Sequence, residues 1–410
     1  MKIALHGVAA ILMASAATPS LAQSWSGPKE IGDGVTLDPI IDARLRYEHV
    51  DQDNAVEEAD ALTLRLRAGA ELKAGEVSLL VEGEGTFALI DDYNAFPFAA
   101  EHQNRPYSVV PDPENIELNR AQIGWSKGGN SIMLGRQRIN LDDQRWVGSV
   151  AWRQNEQTFD ALRGIAKIGP VTLDAVYAID QRTVFGIDAG PRQAYDGDFI
   201  FLGAGMKAGP VNLKAFAYLI DYDDPLALAN SSQTYGVLAA AELPLGPRLK
   251  LSLRGSYASQ SDWKNPAKNY TADYISAEAG LGIAGFSVNA GYELLGSDNG
   301  FSLQTPLATL HKFNGWADVF LTTPAAGLED KYLGAGYAFP KGVLLPGLKA
   351  NIVYHDFDSD VGGVDYGSEW NAQIGFKLGP VALLAKYANY NAKSFGVDTE
   401  KFWLQAEVSF

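Results

Sequence analysis

The decapeptide Lys401-Phe-Trp-Leu-Gln-Ala-Glu-Val-Ser-Phe410 alternates without a break: Phe402, Leu404, Ala406, Val408 and Phe410 fall on one face, and Lys401, Trp403, Gln405, Glu407 and Ser409 on the other. A side-chain period of two makes this a strand with one apolar and one polar side. Soluble sandwiches use such strands too, with one face on a core and one in water. This one ends in Phe and closes a cysteine-free sequence whose start has the form of an export signal. Lys2 gives a positive beginning, Ile3 to Ala17 an apolar stretch, and Ser20-Leu21-Ala22 a small-x-small site before Gln23. The combination points to a bacterial outer-membrane β-barrel.

On this reading residues 1–22 are a cleaved signal peptide, 23–35 a periplasmic N-terminal segment and 36–410 the barrel. An uncleaved anchor is the alternative for the first segment. Its shortness, His6, Gly7 and the cleavage site speak against it. Removing the signal takes away Lys2 alone among the charged residues, leaving 49 acidic groups against roughly 32 basic ones. That balance argues against a nucleic-acid partner. The absence of cysteine excludes a disulfide framework, a thiolate nucleophile and a zinc-thiolate site.

Turn signals recur at nearly even intervals: Ala74-Gly75, Gly128-Gly129, Gly169-Pro170, Gly209-Pro210, Gly246-Pro247, Ala284-Gly285, Pro340 to Pro346, and Gly379-Pro380. Most gaps are about 36 to 41 residues, which is one hairpin of two strands plus a longer far loop. Three turns open alike, as Gly-Pro-Val-Thr-Leu at 169, Gly-Pro-Val-Asn-Leu at 209 and Gly-Pro-Val-Ala-Leu at 379. Two wider gaps hold the polar, Pro-bearing stretches 92–115 and 296–328, expected as long loops. Eight short turns, with both chain ends at the same rim, give an all-β, up-and-down antiparallel transmembrane barrel of about 18 strands. Its short turns are periplasmic and its long loops extracellular.

In lipid the apolar parity faces outward and the polar parity the lumen. One strand sets Ile41, Ala43, Leu45 and Tyr47 out, with Asp42, Arg44, Arg46 and Glu48 in. The next sets Leu62, Leu64, Leu66, Ala68, Ala70 and Leu72 out, with Thr63, Arg65, Arg67, Gly69, Glu71 and Lys73 in. Leu249, Leu251 and Leu253 repeat the pattern opposite Lys250 and Arg254. A lone charge in lipid costs several kcal/mol, so the charged parity calls for a water-filled interior. A barrel of this strand number is wide enough to hold one.

Two segments resemble a known family. Leu134-Gly-Arg-Gln-Arg-Ile-Asn140, continuing through Asp143-Gln-Arg-Trp-Val-Gly148, Ala151-Trp-Arg153 and Thr158-Phe-Asp160, is similar to the signature stretch of the alginate-export outer-membrane porins. Asn314-Gly-Trp-Ala-Asp-Val-Phe-Leu-Thr-Thr-Pro-Ala-Ala-Gly-Leu-Glu-Asp-Lys-Tyr332 is similar to that family's late loop and following strand. The resemblance implies an 18-stranded barrel with an electropositive, Arg-lined pore for an anionic polysaccharide.

Independently of the family, Arg presents a planar fork that pairs with carboxylates bidentately, and a uronate polymer carries about one carboxylate per sugar. The expected pore-lining set is Arg44, Arg46, Arg65, Arg67 and Arg254 on the wall, with Arg136, Arg138, Arg145 and Arg153 near or in the third outer loop. Asp42, Glu48 and Glu71 are the expected counter-charges, which weaken binding enough for conduction. The alternative for any one Arg is ordinary lumenal charge paired across strands. Ile132 and Leu134 facing out would also turn Arg136 and Arg138 out, so a bulge at Gly135 or an early loop start is needed to bring them in. Loop 139–156 is a candidate constriction or plug. Its Trp146 and Trp152 are expected first as girdle residues at the outer interface, and secondly as sugar-facing rings.

The acidic groups Asp51, Asp53, Glu57, Glu58, Asp60 and Asp221, Asp223, Asp224 match no defined calcium loop, so a solvated anionic rim is expected and no metal site. Catalysis would need a constellation that His355-Asp356 does not supply alone. No cofactor is expected. The expected partners are outer-membrane lipid and lipopolysaccharide, the barrel-assembly machinery acting on the strand ending in Phe410, and an acidic saccharide. The alternatives to an acidic-saccharide channel are a general diffusion porin and a receptor or adhesin barrel.

Overall fold

A computed structural model describes residues 27–96, 105–264, 269–340, 342 and 345–410; the expected signal peptide 1–22 lies outside them. Among the described residues eighteen antiparallel strands form the wall. They are β1 Val35–Gln52, β2 Ala59–Ala74, β3 Val77–Asp92, β4 Asn115–Lys127, β5 Asn130–Gln137, β6 Thr158–Ile168, β7 Val171–Arg182, β8 Ala194–Ala208 and β9 Val211–Tyr222. The second half comprises β10 Ser232–Pro244, β11 Leu249–Asp262, β12 Thr271–Ile283, β13 Phe286–Leu295, β14 Leu328–Ala338, β15 Lys349–Asp358, β16 Asp365–Leu378, β17 Val381–Ala392 and β18 Thr399–Ser409. Each strand pairs with its neighbours in sequence, and β18 returns to β1, with Ala43 opposite Val408 and Tyr47 opposite Leu404. Phe410 sits in this seam. Its N–H donates to the Ile41 carbonyl at 2.8 Å, and its own carbonyl accepts from Ile41 at 3.3 Å. Among the described residues the eighteen wall strands thus close on themselves, each paired on both sides, the condition for strands to cross a bilayer.

The tight connections fall where the turn signals stood. In the three Gly-Pro-Val turns Gly169, Gly209 and Gly379 take φ of 58°, 60° and 58°. A hairpin turn with Gly at its first central position has this geometry, and its twist matches that of the strands. Lys29–Gly32, expected within a periplasmic segment, adds a short strand against the start of β1.

Outward parity is apolar all round: Leu66, Val81, Ile123, Leu134, Leu162, Leu202, Val237, Leu281 and Leu333 are each two-fifths or more exposed. Inward parity on β1, β2 and β18 carries Arg44, Arg46, Glu48, Arg65, Arg67, Lys401 and Trp403, all buried. The interior, however, is not simply water. Strand β5 has eight residues and β6 eleven, against eighteen in β1, so the segment between them leaves the wall at mid-height and folds into the lumen. There Ile139, Leu141, Trp146 and Val147 pack on Phe159, Phe199, Phe201, Phe216, Tyr218 and Tyr222 from β6 to β9. The first inward segment thus packs a hydrophobic cluster into the lumen, and the buried arginines of the wall are held by ion pairs.

Candidate functional site in the barrel lumen

Two inward segments, 138–157 between β5 and β6 and 296–327 between β13 and β14, meet inside the barrel. Backbone bonds join them: Gly148 N–H donates to the Leu307 carbonyl at 2.9 Å and Thr309 N–H to the Gln144 carbonyl at 3.1 Å. Gln157 reinforces the join by donating from its amide to both Gly148 and Leu307 carbonyls, at 2.7 and 3.0 Å. Arg145 adds a buried pair with Glu293 at 2.8 Å and a donor to Asn314 Oδ1 at 3.1 Å. These contacts give buried polar groups of each segment partners on the other segment or on the wall, as burial demands.

The expected arginines are in the barrel and every one of them is ion-paired. Arg44 meets Glu407 at 2.9 Å and donates to the carbonyls of Ala151, Trp152 and Arg153. Arg46 meets Asp112 at 3.7 Å and donates to Gln405. Arg65 binds Asp42 and Glu407, and Arg67 binds Glu84 and, at 3.4 Å, Glu156. Arg153 reaches from the first inward loop to Glu48 at 3.0 Å and Asp112 at 3.8 Å. Arg254 pairs with Asp143 at 2.7 Å, and Glu71 faces Lys73 rather than an arginine. Arg44, Arg46, Arg67 and Arg254 are therefore also seats on which loop 138–157 rests.

Arg136 departs from the expected set. Strand β5 pairs with both neighbours without a register shift, so no bulge turns the chain at Gly135. Arg136 keeps the outward parity of Ile132 and Leu134 and is neutralised by a two-pronged pair with Asp160, both contacts at 2.8 Å. The strand stops at Gln137 instead, and that early stop frees Arg138 to turn inward to Glu156 at 2.5 Å and Glu82 at 3.4 Å.

Trp146 and Trp152 are not girdle residues. Trp146 packs among Phe216, Tyr218 and Tyr274 inside the lumen. Trp152 lies flat on His311, with ring centroids 4.4 Å apart and planes at 2°, and carries Arg46 over its ring at 4.1 Å. The reason is again the low wall at β5 and β6, which gives these rings an apolar interior to enter before they reach an interface.

Beside this stack stand groups that strand-by-strand reading did not single out. Lys386 of β17 places its Nζ 2.6 Å from His311 Nε2, 4.2 Å from the Trp152 ring centroid and 3.8 Å from that of Trp316. His311 Nδ1 bonds Asp318 Oδ1 at 2.7 Å, and Lys401 donates to Asp318 Oδ2 at 3.1 Å. Burial pushes the His311 imidazole well below its ordinary pKa; Lys386 adds to this while Asp318 opposes it. A neutral ring fits the contacts, since it accepts from the Lys386 ammonium through Nε2 and donates to Asp318 through Nδ1. For Asp318, burial is outweighed by its interaction with His311 and by Lys401 and Arg153, which hold its carboxyl well below the usual range. The signal that could have found Lys386 is a lone charge inside Val381–Ala392, on the same parity as Ala388 and Tyr390.

The segment Asn314–Asp318 is a barrier. On the loop side lies a cavity of about 610 Å³ lined by Tyr107, Ala317, Asp318 and Lys401, among others. On the side of the short turns lies another of about 410 Å³, lined by Arg254, Glu278, Asn289, Glu293, Asn314, Trp316 and His355. Adjacent residues Trp316 and Ala317 thus face different cavities. Glu369 fixes them by accepting from both their N–H groups, at 2.5 and 2.9 Å. His355 bonds Asp330 across the strand pair at 2.9 Å, while Asp356 points the other way, so the sequence neighbours His355 and Asp356 make no catalytic pair. Among the described residues no cluster of His, Asp and Glu is arranged to hold a metal, the acidic loops included.

A closed 18-stranded barrel with an apolar outer band and inward loops that narrow its lumen is a porin-type barrel of the bacterial outer membrane. Residues 37–223, from β1 into the segment after β9, match the alginate-export family. Crystal structures share the fold. Pseudomonas aeruginosa OccK9 (OpdG) is 15% identical with a TM-score of 0.70, and Acinetobacter baumannii OccAB2 is 16% identical with 0.70. Pseudomonas aeruginosa OpdK with vanillate is 14% identical with 0.68. Each alignment covers 91% of this chain and 98% of the other. No curated protein matches the chain by sequence.

Proposed function

We propose that the barrel passes acidic solutes, with uronate oligosaccharides or polysaccharides of the alginate type as the substrate class. The observation that carries this reading is the register of β1 on β2, which sets Arg44 opposite Arg65 and Asp42 opposite Arg67. Together with Arg46 this places four guanidinium groups on two adjacent strands, on the lumenal parity, within the segment that matches alginate export. Their present partners, Asp42, Glu84, Asp112 and Glu407, are themselves acidic. An incoming uronate replaces like with like, which keeps binding weak enough for release. The OpdK structure with vanillate, a small carboxylate, supports acidic cargo for this fold. Passage requires the first inward loop to shift, because it lies on the ladder. For assembly, the proposed partner is the barrel-assembly machinery, acting on β18 and Phe410.

The test is conductance in planar bilayers, with ion selectivity and block by uronate oligomers compared with neutral maltodextrins. Anion selectivity with block by uronates, weakened at least tenfold in a folded Arg65→Ala/Arg67→Ala variant, is the expected result. Unselective current that neither sugar blocks would replace this reading with a general porin. No current under any condition would point to a receptor barrel.

A further inference from the structure

Among the described residues, one buried cation beside Asn314–Asp318 has no carboxylate within ion-pair distance. Among the described residues, Arg46, Arg153 and Lys401 each have a carboxylate partner within ion-pair distance, and Lys386 has none. Its ammonium is seated in a cage made of Trp152 from the first inward loop, Trp316 and His311 from the second, and Trp403 of the wall, whose ring centroid is 5.6 Å away. Ring faces and an imidazole lone pair satisfy a cation through a quadrupole and one hydrogen bond. A carboxylate would add a full charge–charge interaction in a low-dielectric setting, and so compete well for the same ammonium. The cage is also the point where both loops touch one wall side chain. Its position is between the cavities, because Trp316 lines the inner one and Asp318, bonded to His311, lines the outer one.

We propose that Lys386 is the charge-selecting residue of the permeation path, caged by Trp152, Trp316 and His311 when the lumen is shut and drawn out by a carboxylate arriving from the outer cavity. Withdrawal removes a contact that Trp152 and Trp316 share, so anion capture loosens both loops at the point where they meet the wall. Cationic and neutral solutes give Lys386 no reason to leave. This inference rests on the acidic-solute reading and deepens it by naming the residue that meets the solute in the barrier.

The experiment compares the full-length barrel with Lys386→Met, which keeps the apolar stem, and with Trp316→Leu, which keeps the charge and removes one cage wall. Both are checked for folding by heat-modifiable gel migration. Bilayer recordings give the chloride-to-potassium permeability ratio and the block by trigalacturonate. Expected for Lys386→Met are a several-fold fall in that ratio and a tenfold or greater loss of block. For Trp316→Leu, longer open times with anion preference retained are expected. A wild-type barrel that selects anions and is blocked by trigalacturonate, beside a folded Lys386→Met that behaves identically, overturns the role of Lys386 and leaves the channel reading standing. Should Lys386→Met not fold, unchanged open times in Trp316→Leu overturn it equally. A wild-type barrel without anion preference or block removes the acidic-solute reading itself.

Discussion

Trp152 of one inward loop lies flat against His311 of the other, 4.4 Å between ring centroids, while Arg46 of the wall holds its guanidinium over the same indole at 4.1 Å. Three separate parts of the chain thereby share one ring. Truncating a buried Trp costs about 3–5 kcal/mol. Trp152→Ala is therefore expected to undock segment 303–318 without opening the barrel wall. Amide hydrogen exchange in that segment should accelerate strongly while β1 and β18 stay protected. Unchanged exchange at 303–318 would mean that the backbone bonds to Gly148 and Gln144 hold the loop alone.

Arg153 is the electrostatic counterpart of that stack. Its guanidinium is buried between Glu48 and Asp112, so Arg153→Met strands carboxylates in the interior at a cost of about 3–5 kcal/mol to loop docking. Pairing it with Glu48→Leu should recover a good part of that loss, because two apolar groups replace a broken ion pair. Trypsin cleavage at Arg145, in the same loop, reports the effect. Cleavage should be fast in Arg153→Met, slower in the double variant and slowest in the wild type, and equal rates in all three would show that the pair does not secure the loop.

How much of this was legible in the sequence follows from periodicity. The alternation of Lys401 to Phe410 and of Leu62 to Lys73 named the lipid and lumen faces correctly, because a strand wall leaves each side chain only two directions. The Gly-Pro-Val turns fixed the hairpin spacing for the same local reason. Segments 138–157 and 296–327 have no such period. Their course depends on a wall that stops short at Gln137 and Thr158, a length difference spread over distant strands. Trp146 therefore read as a girdle residue when it is part of the inner core. Arg136 was misjudged for a related reason, since Gly135 suggested a bulge and the ladder runs through it unbroken. Lys386 stood in plain sight as one charge in an apolar strand, but nothing local tells that two loops would bring three rings to it.

Gly315 offers a steric test of the barrier. It sits at φ 84°, and a Cβ there would come within 2.2 Å of the Glu369 carboxylate that holds Trp316 and Ala317 in place. A left-handed backbone also disfavours any other residue, by roughly 1–2 kcal/mol. Gly315→Ala should unseat Trp316 and join the two cavities, giving a folded barrel, destabilised by about that amount, with raised, noisier conductance. Current indistinguishable from the wild type would show that Asn314–Asp318 does not separate the two sides.

The His311 imidazole gives the barrier a pH dependence whose sign is fixed by its environment. In the docked loop burial and Lys386 hold its pKa well below the ordinary 6.5, whereas an undocked loop would let it titrate near that value. Undocked His311 thus binds a proton that docked His311 refuses, so docking is at full strength above about pH 6.5 and weakens as the pH falls. The loss approaches about 1.4 kcal/mol per pH unit once the undocked ring is charged. Protonating the docked ring would also put a cation 2.6 Å from the Lys386 ammonium and remove its acceptor. Mean open time in bilayers should rise from pH 7.5 to pH 5, and His311→Gln, which keeps a polar side chain and cannot titrate, should flatten that rise. An open time that falls with acidification, or a His311→Gln profile that follows the wild type, would place the pH-sensitive group elsewhere.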